Sequence, residues 1–445
     1  MYQVIDPATG EHVASYPTAT DEQVEDALAR VHRGFADWRT RPVSERAAVL
    51  HRAADLFEER AEELAALITT EMGKPTPEAL GELSIVVDIF RYYADRAEEL
   101  TRPEPLTVRG GDAAVEKHPV GALLGIMPWN FPYYQVARFA APNLALGNTV
   151  LLKHAPCCPS SAAAIEALLR EAGLPADAYV NLYATNEQVS RIIADPRVQG
   201  VSLTGSDRAG AAVAEQAGRH LKKVVLELGG SDPMVVLDSA DVKRTARVAA
   251  RSRTANMGQA CNAPKRMIVA SELYDDFVAA LCQEMDGEPG APLSSVEAAE
   301  RLVGQVERAV DQGATVLTGG GRVDRPGAWV QPTVLVGVTP GMDAHHEELF
   351  GPVAVVYRVD GEDEAVALAN DTPYGLGASV FSQDPERARR VGARIDAGMV
   401  FVNQAGGSQA DLPFGGVKRS GVGRELGDLG IEEFMNKKVV LVPGR

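Results

Sequence analysis

An α/β protein with two principal domains is what the chain predicts, on three grounds. Its 445 residues exceed what one hydrophobic core organises, since domains mostly run to about 100–200 residues. Short apolar runs alternate with helical stretches from residue 122 onward and fall into two sets, the pattern of parallel sheets covered by helices. Apolar residues make up 45% and charged residues 24%, close to the averages for packed proteins and unlike disordered or fibrous chains.

The first hundred residues read as helical. Val49, Leu50, Ala53, Leu56, Phe57, Leu64, Leu67 and Ile68 recur at helical spacing until Gly73 and Pro75 interrupt them. Residues 100–119 read as a polar hairpin outside either sheet. The first set of buried strands is ALLGIMPW, TVLLK, VQGVSL and VVLEL, followed by MVVL and MIVA. The second set is VAVVYRV, ASVFS and MVFVN. Neither internal repeats nor low-complexity linkers interrupt this order.

Composition removes several classes of function. Forty-four basic against sixty-one acidic residues give a formal charge of −17, with no local basic patch to bind nucleic acid. No apolar run reaches the length of about 18 that spans a bilayer, and MYQVIDPATG is no secretory signal. A cytoplasmic protein without membrane partners is expected. The cysteines, at 157, 158, 261 and 282, form neither a disulfide framework nor a zinc motif. His345 and His346, the one adjacent histidine pair, lack the i, i+4 spacing that aims two rings at one metal, so no metal is expected.

Four elements could carry chemistry. Cys261 lies in NMGQACN, where Gly258 permits an unusual backbone angle just before the thiol; taken alone, such a cysteine is more often a small buried hydrophobe. Glu227 lies in VVLELGG, a carboxylate inside an apolar strand that ends in Gly229 and Gly230. Burial raises its pKa toward the range of a general base, with a structural ion pair as the alternative. Asn130 lies in PWNFP, stiffened by Pro128 and Pro132, which bias Phe131 to extended backbone. A rigid amide there can donate to an oxyanion or simply close a turn. In VSLTGSDRAG a strand breaks at Gly205 and Ser206 and restarts as a helix near Gly210, a weak phosphate-binding signal without the GxGxxG spacing.

In order and spacing, PWNFP, LELGG, GQAC and ELFGP resemble the aldehyde dehydrogenase superfamily, and the likeness runs from DPATGE to KRSGVGRE. Through LLKHAP, LELGGSDP and LPFGGVKRSG the chain is most similar to the short succinate-semialdehyde dehydrogenases. The resemblance implies a Rossmann-type cofactor domain from residues 1–99 and 120–229 and an α/β catalytic domain from 230–430. It also implies a β oligomerisation arm from 100–119 and 431–445, and hence a homodimer or homotetramer.

By the same likeness Cys261 is the nucleophile that adds to an aldehyde, and Asn130 stabilises the resulting oxyanion together with the Cys261 backbone N–H. Hydride leaves to the cofactor, and Glu227 activates water to hydrolyse the thioester. Lys153, Gly205 and Ser206 are placed near the adenosine and phosphates, Glu348 and Phe350 near the nicotinamide ribose, and Trp129 in the same cleft. Relatives strict for NAD often carry a glutamate three residues after the lysine; Pro156 stands there, so NAD or NADP is implied. Arg138 and Ser408 are placed on the carboxylate of the substrate. Ala255 replaces a second arginine of some relatives, and Ala263 replaces a redox cysteine.

After Met285 the chain has only DGEPGAPLSS where the family is usually longer. Rival readings are a dehydrogenase for glutarate semialdehyde or a neutral aldehyde, a CoA-acylating member, a catalytically silent binding protein, and a cysteine hydrolase. The last is disfavoured by the lack of a histidine motif beside Cys261.

Overall fold

In a computed structural model that describes residues 1–444, two parallel sheets form the body of the molecule. The first has six strands in the order Gly421–Val422, Lys223–Glu227, Val198–Thr204, Ala122–Met127, Thr149–His154 and Tyr179–Asn181. All neighbours in it are parallel except Gly421–Val422, which pairs antiparallel with Glu227 and Leu226. Chain direction therefore reverses its progress across the sheet between Ala122–Met127 and Val198–Thr204. Such a switch point opens a crevice at the carboxyl ends of the two strands.

The second sheet has seven strands: Thr315–Thr318, Thr333–Val336, Val353–Val359, Arg266–Ala270, Pro233–Val236, Gly377–Phe381 and Met399–Val402. Its first strand is antiparallel to the second, and the others run parallel. Runs such as PMVV and GASVF are buried on both faces, as expected where helices cover both sides of a sheet.

Four helices, Asp21–Trp38, Val43–Glu59, Ala61–Met72 and Thr76–Leu100, precede the first sheet. The first is opened by a capping box between Thr20 and Gln23, and the third is closed by Gly73 at a φ of 79°. Ahead of them lies an antiparallel hairpin, Tyr2–Ile5 with His12–Tyr16, where sequence reading expected only helix. Helix Tyr134–Leu146 is buried along its whole length, because it runs between the first sheet and the helices Val43–Glu59 and Thr76–Leu100.

Glu104–Leu106, Gly111–Pro119 and Met435–Pro443 form a separate antiparallel sheet, on whose last strand Val439, Leu441 and Val442 are exposed. Arg445, the end of the expected arm, lies outside the described residues. Gly421–Val422 crosses the division expected at residues 230–430, since it completes the edge of the first sheet. After Met285 the shortened segment passes as coil directly to Ser295, which caps helix Val296–Asp311. Among the described residues, no helix is long and apolar enough to cross a membrane.

Candidate active site

Two cavities open between the sheets, and Cys261 lines both. The smaller, about 450 Å³, lies at the switch point. Pro128, Trp129 and Asn130 reach it from the end of Ala122–Met127, and Thr204, Gly205 and Ser206 from the end of Val198–Thr204. The larger, about 660 Å³, lies beyond the thiol and is walled by Phe131, Tyr134, Arg251, Asn262, Ser408 and Phe414, among others. Both volumes suit small-molecule sites. A thiol at their junction can meet a ligand from each side.

Local backbone geometry sets the position of that thiol. Asn256, Met257 and Gly258 all have left-handed φ, at 49°, 50° and 71°, which costs roughly 1–3 kcal/mol for each of the two non-glycine residues. Hydrogen bonds hold the turn: Asn256 donates through Nδ2 to the Asn130 carbonyl at 3.0 Å, and its backbone N–H donates to Glu78. A Cβ on Gly258 would stand 2.4 Å from the Gly351 carbonyl oxygen, so glycine is required for space as well as for angle. Burial pushes the Cys261 thiol up to about 12, against the opposing pull of the Arg138 and Lys265 cations.

Asn130 is buried and donates one amide hydrogen to the Gln259 carbonyl at 3.1 Å. An amide carries two donors, and the second is free for a ligand. Glu227 ends the strand Lys223–Glu227 and is buried, with both carboxylate oxygens lacking a hydrogen-bond partner among the described residues. Burial raises its pKa well above the usual carboxylate range, with Arg138 opposing. It lies off both cavity walls, although its strand partner Thr204 and its neighbour Leu228 line the smaller one. An unsatisfied buried carboxylate is costly and calls for a role.

The smaller cavity has features that fit a dinucleotide. Ser206 caps helix Asp207–Arg219, accepting from the Ala209 N–H at 3.3 Å, so the positive end of the helix faces the cavity. Arg208 and Arg301 add cations to its wall. Trp129 and Phe350 meet edge to face at 5.8 Å, and Glu348 stands beside them, accepting from the Gly230 N–H at 3.0 Å. A Cβ on Gly229 would come within 2.3 Å of Glu348, and one on Gly230 within 2.7 Å of the Cys261 carbonyl oxygen. The paired glycines thus let both functional residues approach the strand end. Lys153 is not on this wall; it is buried, with Nζ 5.9 Å from the Tyr2 ring centroid.

Arg138 departs from expectation. It is fully buried and absent from the wall of the larger cavity, because its guanidinium is ion-paired with Glu425 and donates to Thr204 at 3.1 Å. It also donates to Tyr134 Oη at 3.4 Å, which in turn donates to Ser408 Oγ at 2.9 Å, and it lies over the Phe414 ring at 4.5 Å. Ser408 and Tyr134 face the cavity. In this geometry the Arg138 guanidinium is committed to Glu425, Thr204 and Tyr134 and does not reach the wall of the larger cavity.

The profile of the Aldehyde dehydrogenase family matches residues 1–440. The chain belongs to the aldehyde dehydrogenase family. It is 54% identical over 449 residues to a Deinococcus radiodurans protein named as the NADP(+) succinate-semialdehyde dehydrogenase, covering 99% of this chain and 94% of the relative. To an Escherichia coli protein named as the NAD(P)+ succinate semialdehyde dehydrogenase it is 42% identical, covering 98% and 96%. The crystal structure of succinic semialdehyde dehydrogenase from Streptococcus pyogenes, in complex with NADP+, superposes with a TM-score of 0.97 at 42% identity over 100% of both chains.

Within this aldehyde dehydrogenase the geometry adds residues that sequence reading passed over. Lys265 donates to the Cys261 carbonyl and pairs with Glu348, so one ammonium braces both cavities. Its signal was a lysine heading the buried run RMIVA, where a charge has to be paired. Asn256, Tyr134 and Glu425 gave no local signal, since each matters only through a partner distant in the chain.

Proposed function

We propose that this aldehyde dehydrogenase oxidises succinate semialdehyde to succinate with NAD(P)+. The observation that carries the reading is the position of Cys261 at the junction of two cavities, one fitted to a dinucleotide and one to a small polar substrate. The relatives named above share that activity by name, and NADP+ is the cofactor named most directly among them.

Cys261, once ionised, adds through Sγ to the aldehyde carbon. The free amide hydrogen of Asn130 and the backbone N–H of Cys261 then stabilise the oxyanion, about 3–4 kcal/mol per donor in comparable sites. The dinucleotide, when bound, accepts the hydride. Ser206 and the helix behind it would hold its phosphates, and Glu348, Phe350 and Trp129 would hold its nicotinamide end. Glu227 turns from its buried position toward the smaller cavity and removes a proton from water, which attacks the thioester and frees the acid. Ser408 donates to the distal carboxylate while its oxygen accepts from the Tyr134 hydroxyl, which orients it. The chain works in the cytoplasm as a homodimer or homotetramer, joined through the exposed strand Met435–Pro443.

The test is the rate of reduced-cofactor formation with succinate semialdehyde and with butanal, each with NADP+ and NAD+. Preference for succinate semialdehyde by tenfold or more in kcat/KM is expected. Absence of turnover with either aldehyde would refute the reading.

A further inference from the structure

The wall of the larger cavity carries two cations, Lys74 and Arg251. Lys74 is not available to a ligand. Its side chain is fully buried and ion-paired with Glu82, whose other oxygen accepts from the Tyr133 and Tyr134 N–H groups. The remaining carboxylate on the wall, Glu78, accepts from the Asn256 N–H. Arg251 differs from all of these. It is exposed, and among the described residues its side chain makes no hydrogen bond and no ion pair.

We infer that Arg251 is the residue that selects for an anionic tail on the aldehyde, by pairing with the carboxylate distal to the reacting carbon. The inference rests on the proposed substrate class and supplies its missing charge. Arg138 is neutralised by Glu425 and lies off the cavity wall behind Tyr134, while Ser408, whose oxygen accepts from Tyr134, offers one neutral donor. A carboxylate entering the cavity thus meets the Ser408 hydroxyl and one exposed, uncommitted guanidinium on the same wall. Arg251 sits in the last turn of helix Val242–Thr254, and this helix runs straight into the turn Ala255–Gly258 that sets Cys261. Ala255 lies one helical turn after Arg251 and also faces the cavity. Its short side chain leaves the space through which the guanidinium, a planar donor matched to carboxylates, can reach inward.

The test compares wild type with Arg251→Ala, Arg251→Lys and Arg251→Glu, each assayed with succinate semialdehyde and butanal and with succinate as competitive inhibitor. Arg251→Ala is expected to raise KM for succinate semialdehyde and Ki for succinate together, by about tenfold, with kcat changed less than threefold and the butanal KM less than twofold. Arg251→Lys should recover part of the loss, and Arg251→Glu should deepen it to about a hundredfold through repulsion. A wild type that prefers succinate semialdehyde, with Arg251→Ala keeping the same KM and Ki, would overturn the inference and leave the proposed function standing. A wild type indifferent to the tail would overturn both.

Discussion

Lys265 donates through Nζ to the backbone carbonyl of Cys261 at 2.8 Å while pairing with Glu348 at 3.3 Å. Nucleophile loop and cofactor cavity are thereby held by one buried ammonium. Lys265→Met keeps the length and removes the charge, leaving the Glu348 carboxylate uncompensated. We expect kcat to fall about 10–100-fold, and unfolding in urea to show a loss of about 1.5–3 kcal/mol. Alkylation of Cys261 by iodoacetamide, followed site by site by mass spectrometry, should slow as well, because a cation favouring the thiolate is gone. In the unsubstituted protein that alkylation should quicken about tenfold per pH unit from pH 7 to 9, since the thiol is pushed up to about 12. A rate already level at pH 7 would show an ionised thiol and refute this account.

Glu227 links stability to pH. Its folded pKa is raised above the ordinary value of 4.5, so its contribution is fully present below that value and is lost as pH rises toward the folded one. Glu227→Gln cannot ionise. The unfolding free energy of wild type relative to this variant should therefore drop as pH rises above about 4.5, by at most about 1.4 kcal/mol per pH unit, and level off once the folded carboxyl ionises, read from denaturant titrations at a series of pH values. A constant difference would indicate an ionised, compensated carboxylate. In rapid mixing with aldehyde and cofactor, the same variant should give one burst of reduced cofactor and then slow by roughly 10²–10⁴. Normal steady turnover would remove Glu227 from the role of base.

Arg138 and Glu425 form a fully enclosed pair. Removing one partner strands the other charge, so Arg138→Ala should cost about 3–5 kcal/mol and reduce turnover of succinate semialdehyde and butanal alike. Combining Arg138→Met with Glu425→Leu should recover much of the stability. Loss confined to succinate semialdehyde would instead show that Arg138 leaves Glu425 to hold the substrate.

Pro156 is exposed just past the strand Thr149–His154. Pro156→Glu should shift the NADP/NAD ratio of kcat/KM toward NAD by about tenfold, because the new carboxylate repels a 2′-phosphate. An unchanged ratio would place residue 156 away from the ribose.

Every apolar run read as a strand from residue 122 onward lies on a strand of one of the two sheets. Most of those segments are buried on both faces, so their apolar composition declares them, and half-exposed Met399–Val402 is declared by its apolar residues all the same. The half-exposed edge Thr315–Thr318, the three-residue Tyr179–Asn181 and the hairpin at Tyr2–Tyr16 are too short or too polar to do so. Gly258 was legible because its demand for positive φ belongs to its own backbone. Strand–helix alternation and the residues available at strand ends are likewise written in local composition. Which of those residues meet emerges from long-range packing: Cys261 joins two cavities, Arg138 is claimed by Glu425, and Arg251 has no partner among the described residues. The reason is that the pairing of a charge depends on what packs against it from elsewhere in the chain, and no local pattern records that.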